Sequence, residues 1–154
     1  MSLMGVRSTV PNSGLVAVLM EDGGPAMLAV PVGAREGLLL SAPGSPTPTW
    51  ASLFAACVEA FGSAVLQVVL DVDADGVMCA TAVLDAENPT QSTAVPCTPS
   101  DALVVATTLA IPIQATGALL RLRGLDLEEQ ALQRRLREWR QALDDAVAED
   151  AWYL

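Results

Sequence analysis

Thr98-Pro99-Ser100-Asp101-Ala102-Leu103-Val104-Val105-Ala106-Thr107-Thr108-Leu109 is the stretch on which the fold turns. Thr98 is a natural N-cap, Pro99 fits the first helical position, and Asp101 stands where it closes a capping box. The run that follows is apolar nearly all round. A helix from Pro99 to about Leu109 is therefore expected in the interior. The sequence before it supplies strands to surround it. Ser92 to Cys97 reads as one strand, preceded by a polar loop from Asp85 to Gln91. Val65 to Leu70 and Val77 to Leu84 read as a hairpin about the turn signal Asp75-Gly76.

Further upstream, Met4 to Val10, Leu15 to Glu21 and Ala26 to Val32 read as three strands. They are joined by the turns Pro11-Asn12-Ser13-Gly14 and Asp22-Gly23-Gly24-Pro25. A short helix is expected over Ala34 to Leu40, then a loop from Ser41 to Thr49 rich in Pro, Ser, Gly and Thr. A helix from about Thr49 to Phe61 follows. Its residues Leu53, Phe54, Cys57, Val58 and Phe61 recur at helical spacing and are expected to face the core.

Asp126-Leu127-Glu128-Glu129 is a second capping box, opening a helix of about 25 residues. Leu132, Leu136, Trp139, Leu143 and Ala146 step along it by 4, 3, 4 and 3, an apolar seam of coiled-coil spacing. The expected fold class is α+β: a mixed, mostly antiparallel sheet of about six strands with packed helices. The C-terminal amphipathic helix either wraps the domain or joins two copies. Residues 1–120 form the main domain in this reading and residues 121–154 the helix.

Composition narrows the function. The chain of 154 residues suits one domain, and 52% of it is hydrophobic, enough for a core. Mean hydropathy is high at +0.43, yet no run approaches a membrane span. The most apolar stretch, Ala102 to Ile113, is interrupted by Thr107, Thr108 and Pro112. Nothing at the N-terminus has the pattern of a signal peptide. Cys57, Cys79 and Cys97 are odd in number and far apart, so they read as buried free thiols of a reducing cytosol. The expected location is cytoplasmic.

Net charge is −10, with no lysine and no histidine. Six of the eight arginines lie in residues 121–154. Residues 1–120 hold two arginines and ten acidic groups, a net −8 that repels a polyanion. This argues against a nucleic-acid partner.

From about Met4 to Leu120 the chain resembles the bifunctional-nuclease (BFN) family. The resemblance rests on Gly5-Val6-Arg7, on Leu28-Ala29-Val30-Pro31-Val32-Gly33 with Glu36, and on Thr49 and the Asp75-Gly76 hairpin. Its most specific part is Pro99-Ser100-Asp101-Ala102 with Pro112-Ile113 ten residues later. The family's His-Asp pair is here Trp50-Ala51. Thr98, Pro96 and Thr108 stand where the family carries Arg, Asp and Arg. What survives is largely structural, and what is lost is polar. Leu136 to Trp152 resembles the first half of the helical-hairpin motif of the UvrB and UvrC excision-repair proteins.

The resemblance implies a nuclease whose surviving carboxylates, Glu36 and Asp101, serve as catalytic or metal-binding groups with Mg²⁺ or Mn²⁺. Asp101 equally has a structural role as a capping residue. Phosphodiester hydrolysis needs a base or a metal-bound water, and positive charge on the phosphate. Without histidine or lysine, only a carboxylate-bound metal is left. Thr49, Ser52 and Ser100 lack a base to activate them, as do the three cysteines. Asp71-Val72-Asp73-Ala74-Asp75-Gly76 begins like a calcium loop. Its twelfth position falls at Ala82 and its flanks read as strands, so a solvated hairpin end is expected.

Two functions follow. In the first, favoured by the chemistry, the protein has no cofactor and acts by association, as a homodimer or an adaptor. Trp50, Leu132, Leu136, Trp139 and Leu143 would then be the partner-binding residues. In the second it is a divalent-metal-dependent nuclease acting on DNA or RNA.

Overall fold

A computed structural model describes residues 1–9, 14–44, 49–85, 92–131, 133–134 and 136–138. The strands are β1 (Ser2–Thr9), β2 (Gly14–Met20), β3 (Ala26–Val32), β4 (Val65–Val72), β5 (Met78–Leu84), β6 (Thr93–Cys97), β7 (Ile113–Ala115) and β8 (Leu125–Asp126). The helices are α1 (Ala34–Ser41), α2 (Trp50–Ala60), α3 (Pro99–Leu109) and α4 (Gly117–Arg123), and the chain is helical again from residue 127. The fold is α+β.

The strands form two four-stranded sheets, ordered β1-β2-β3-β8 and β6-β5-β4-β7, where the sequence suggests a single sheet. The division has a physical cause. Residues 33–64 pass through α1 and α2 between β3 and β4, and the free edges of those strands are taken by β8 and β7. Pairing is antiparallel except between β4 and β7. Neither β7, β8 nor α4 is visible in the sequence pattern. The first two are too short to show a period of two.

Alternation along the strands builds the core. Ala17 and Leu19 of β2, Leu28, Val30 and Val32 of β3, and Val65, Val68 and Leu70 of β4 are buried on one face each. The central helix is α3, which packs on β3 of the first sheet and on β4 and β5 of the second. Ala102, Leu103, Val104, Val105 and Ala106 are all buried, as its apolar circumference requires. It ends in Ala110, which takes the left-handed conformation (φ 52°) more often given to glycine.

The helix α2 departs from expectation. Thr49 caps it in a full capping box with Ser52, but the predicted core face is turned. Ala51 is the buried residue and Phe54 and Val58 are partly buried, whereas Leu53, Cys57 and Phe61 face outward. The reason is that α2 packs on α3 at the edge of the domain, so a helix apolar on two sides buries one. The cysteines also differ from expectation: Cys57 is exposed, Cys79 and Cys97 are half-buried, and all three are free.

The acidic hairpin end folds as a turn. The Asp73 carboxylate accepts the backbone N–H groups of Asp75 and Val77, an Asx arrangement that closes the β4–β5 connection. The Asp71 carboxylate accepts the Thr116 hydroxyl and the Val72 N–H. Thr116 in turn caps α4 by accepting the Leu119 N–H. The Thr116 hydroxyl, and after it the Val72 N–H, hold the Asp71 carboxyl below its usual value of 3.8. A depressed carboxyl stabilises the fold above its unfolded value, and that contribution goes as pH falls through the folded value. Asp71→Asn should therefore flatten the acid limb of stability. Urea midpoints measured between neutral pH and about pH 3 test this. Parallel acid limbs for the two proteins would remove Asp71 from the account.

Candidate functional site

Three helices and one sheet edge enclose a cleft of about 310 Å³. Arg35 and Glu36 reach it from the first turn of α1, and Trp50 and Phe54 from the start of α2. Val95 and Cys97 come from β6, the edge strand of the second sheet, with Ala82 of β5 beside them. Asp101, Ala102 and Val105 of α3 complete it. Three residues singled out in the sequence, Glu36, Trp50 and Asp101, thus line the same cavity although they belong to three different helices.

Local sequence explains each placement. Gly33 precedes α1 without a side-chain cap, and a Cβ there would lie 2.4 Å from a Glu36 carboxylate oxygen. The missing side chain is the space the Glu36 carboxylate occupies. That carboxylate has no hydrogen-bond or ion-pair partner among the described residues, and the same holds for the Arg35 guanidinium. Asp101 is held more firmly. Its N–H donates to the Thr98 hydroxyl oxygen, and that hydroxyl donates to its carboxylate at 2.7 Å. The return bond therefore runs to the hydroxyl and not to the Thr98 N–H of a standard capping box. Trp50, at the first position of α2, is half-buried.

Cys97 was not anticipated here. Its thiol is pushed above the usual 9.0, first by burial and then by the negative charge of Asp101, with a backbone bond at Ala82 opposing. At neutral pH it is therefore a protonated, weakly nucleophilic thiol. Ser52 and Thr49 are occupied with each other in the α2 cap, and Ser100 sits against Thr98.

A divalent metal would find Glu36 and Asp101 as oxygen donors. Cys97 is the third ligating type present, a soft donor that Mg²⁺ and Mn²⁺ do not favour. Among the described residues no three His, Cys, Asp or Glu side chains are grouped to hold a metal ion. The described donors, two carboxylates and a protonated thiol, do not by themselves fit Mg²⁺ or Mn²⁺.

A second, more open cleft of about 440 Å³ lies at the other end of α3, between Leu3, Met4 and Arg7 of β1 and Leu40 of α1. Its residues gave no sign in the sequence beyond Gly5-Val6-Arg7. Leu136, from the apolar seam of the C-terminal helix, is 49% exposed. Leu132, Trp139 and Leu143 lie outside the described residues. Among the described residues no helix is long and apolar enough to cross a membrane.

A family model described as the bifunctional nuclease domain matches residues 17–128, which run from β2 through β8. No curated protein matches the chain.

Proposed function

The chain belongs to the bifunctional nuclease domain family, and we propose that this member acts by associating with another polypeptide, foremost a second copy of itself, and does not cleave nucleic acid. The observation that carries this reading is the outer face of α2. Leu53, Ala56, Cys57, Ala60 and Phe61 stand at i, i+3, i+4, i+7 and i+8 and are all exposed. An uncharged apolar face of this kind on an otherwise acidic protein is where a partner binds. The chemistry of the cleft supports the same reading. Among the described residues it offers one cation for a phosphate, no histidine, and a thiol held protonated. The half-exposed Leu136 and the tail positions Leu132, Trp139 and Leu143 would extend the contact, with Trp50 at the cleft.

One observation favours a second reading, a divalent-metal-dependent nuclease. Glu36 and Asp101 share one cavity, and Mg²⁺ is often held by two carboxylates together with substrate phosphates. The discriminating experiment is cleavage of single-stranded RNA and DNA at low salt, with Mg²⁺, Mn²⁺ or EDTA. A folded Glu36→Gln/Asp101→Asn protein runs beside the parent. The expected result is equal background for the two proteins in every buffer. Metal-dependent cleavage that the double variant lacks would establish the nuclease and end the non-catalytic reading.

A further inference from the structure

We propose that the cleft between α1, α2 and α3 is a binding site for an organic cation: an alkylguanidinium or alkylammonium group carried on an apolar stem. The lining offers both kinds of contact such a ligand needs. Phe54, Val105 and Ala82 contribute apolar surface for the stem. Glu36 and Asp101 supply two carboxylates, one of them without a partner among the described residues. Trp50 adds an indole, the aromatic ring best suited to a cation.

The balance of charge disfavours an anionic ligand. Among the described residues that line the cleft two carboxylates face one guanidinium, and that of Arg35 belongs to an exposed residue whereas Glu36 and Asp101 are half-buried. The negative charge is felt at Cys97, whose thiol is pushed above its usual 9.0 first by burial and, to a smaller extent, by Asp101. A volume of about 310 Å³ lies at the lower end of small-ligand pockets, which suits a single long side chain or a small amine. Desolvation strengthens both the carboxylate contact and the cation–π contact, so charge and stem act together.

This inference deepens the association reading by stating what a partner would insert, but it does not depend on the oligomeric state. The test uses the full chain with Trp139→Phe and Trp152→Phe, so that Trp50 is the only indole emitting. The probes are n-butylguanidinium, n-butylammonium and the neutral isostere n-butylurea. Trp50 emission should change saturably with both cations, and n-butylurea should bind about tenfold or more weakly. Glu36→Gln/Asp101→Asn should weaken the cations by about tenfold or more and leave n-butylurea unchanged. Asp101→Asn keeps an acceptor for the Thr98 hydroxyl, and the far-ultraviolet circular dichroism of the variant reports its folding. Should it misfold, Glu36→Gln alone carries the charge comparison, with binding read by the same emission. Equal binding of cation and urea, equal binding by parent and variant, or no saturation would each overturn the assignment. A monomeric protein that saturates with n-butylguanidinium would support the cleft while removing self-association.

Discussion

Leu103→Ala should unfold well before the parent protein, with a loss of about 2–5 kcal/mol. Leu103 is 0% exposed and lies midway along α3, the helix packed on β3 of one sheet and on β4 and β5 of the other. Deleting its isobutyl group removes buried apolar surface and leaves a void between elements held in place by two sheets. Such a site collapses poorly, which places the loss toward the upper part of the range. The Thr98 cap and Pro99 remain, so the helix itself still forms. The cost falls on tertiary packing and on the cooperativity of the two sheets. Leu38→Ala is the matched control, since Leu38 is 73% exposed on α1 and its truncation should cost about 0.5 kcal/mol or less. Urea denaturation of the three proteins measures both quantities. A Leu103→Ala loss no greater than that of Leu38→Ala would remove α3 from the centre of the fold.

What made α3 legible is also what limited the rest. Thr98, Pro99 and Asp101 are local signals whose meaning does not depend on distant residues, and the apolar circumference leaves burial as the only outcome. The strand β3 was equally plain, because a glycine-rich turn and Gly33 bracket it. The face of α2 could not be read in the same way. Its sequence is apolar on two sides, and the side that packs is decided by α3, a partner some forty residues away. The short strands β7 and β8 exist only because the edges of β4 and β3 are open to them, so they carry no signature of their own. The split into two sheets follows from those same edges.

The candidate site was half visible. Glu36, Asp101 and Trp50 stood out because the family pattern draws attention to their positions, and the three converge on one cleft. Their company could not be foreseen. Cys97 lies at the end of an edge strand with no chemical pattern around it, and Phe54 read as a core residue. Arg35 had a weak signal as the neighbour of Glu36, since both belong to the first turn of α1. Gly33, having no Cβ, leaves the space at the start of that turn which the Glu36 carboxylate occupies.

The second large effect is expected at the outer face of α2. Phe61 is 84% exposed and Leu53 66% exposed, and Ala56, Cys57 and Ala60 lie between them on the same side. The charged residue of this helix, Glu59, falls on a different side of it. An antiparallel pair of α2 helices about a two-fold axis near Cys57 would set Leu53 of each copy against Phe61 of the other. In such a pair each substitution is met twice. Leu53→Glu/Phe61→Glu then places four carboxylates in an apolar contact, and dissociation should become easier by about a hundredfold or more. The folded monomer should hardly notice, because exposed helix positions tolerate glutamate within about 0.5 kcal/mol. Sedimentation velocity across a range of concentrations reads the association, and thermal unfolding reads the fold. The parent should show a reversible dimer and the variant a monomer of unchanged stability. A variant that dimerises like the parent would move the contact elsewhere, with the C-terminal seam at Leu136 next to be tested. A parent that stays monomeric at every concentration would end the self-association reading.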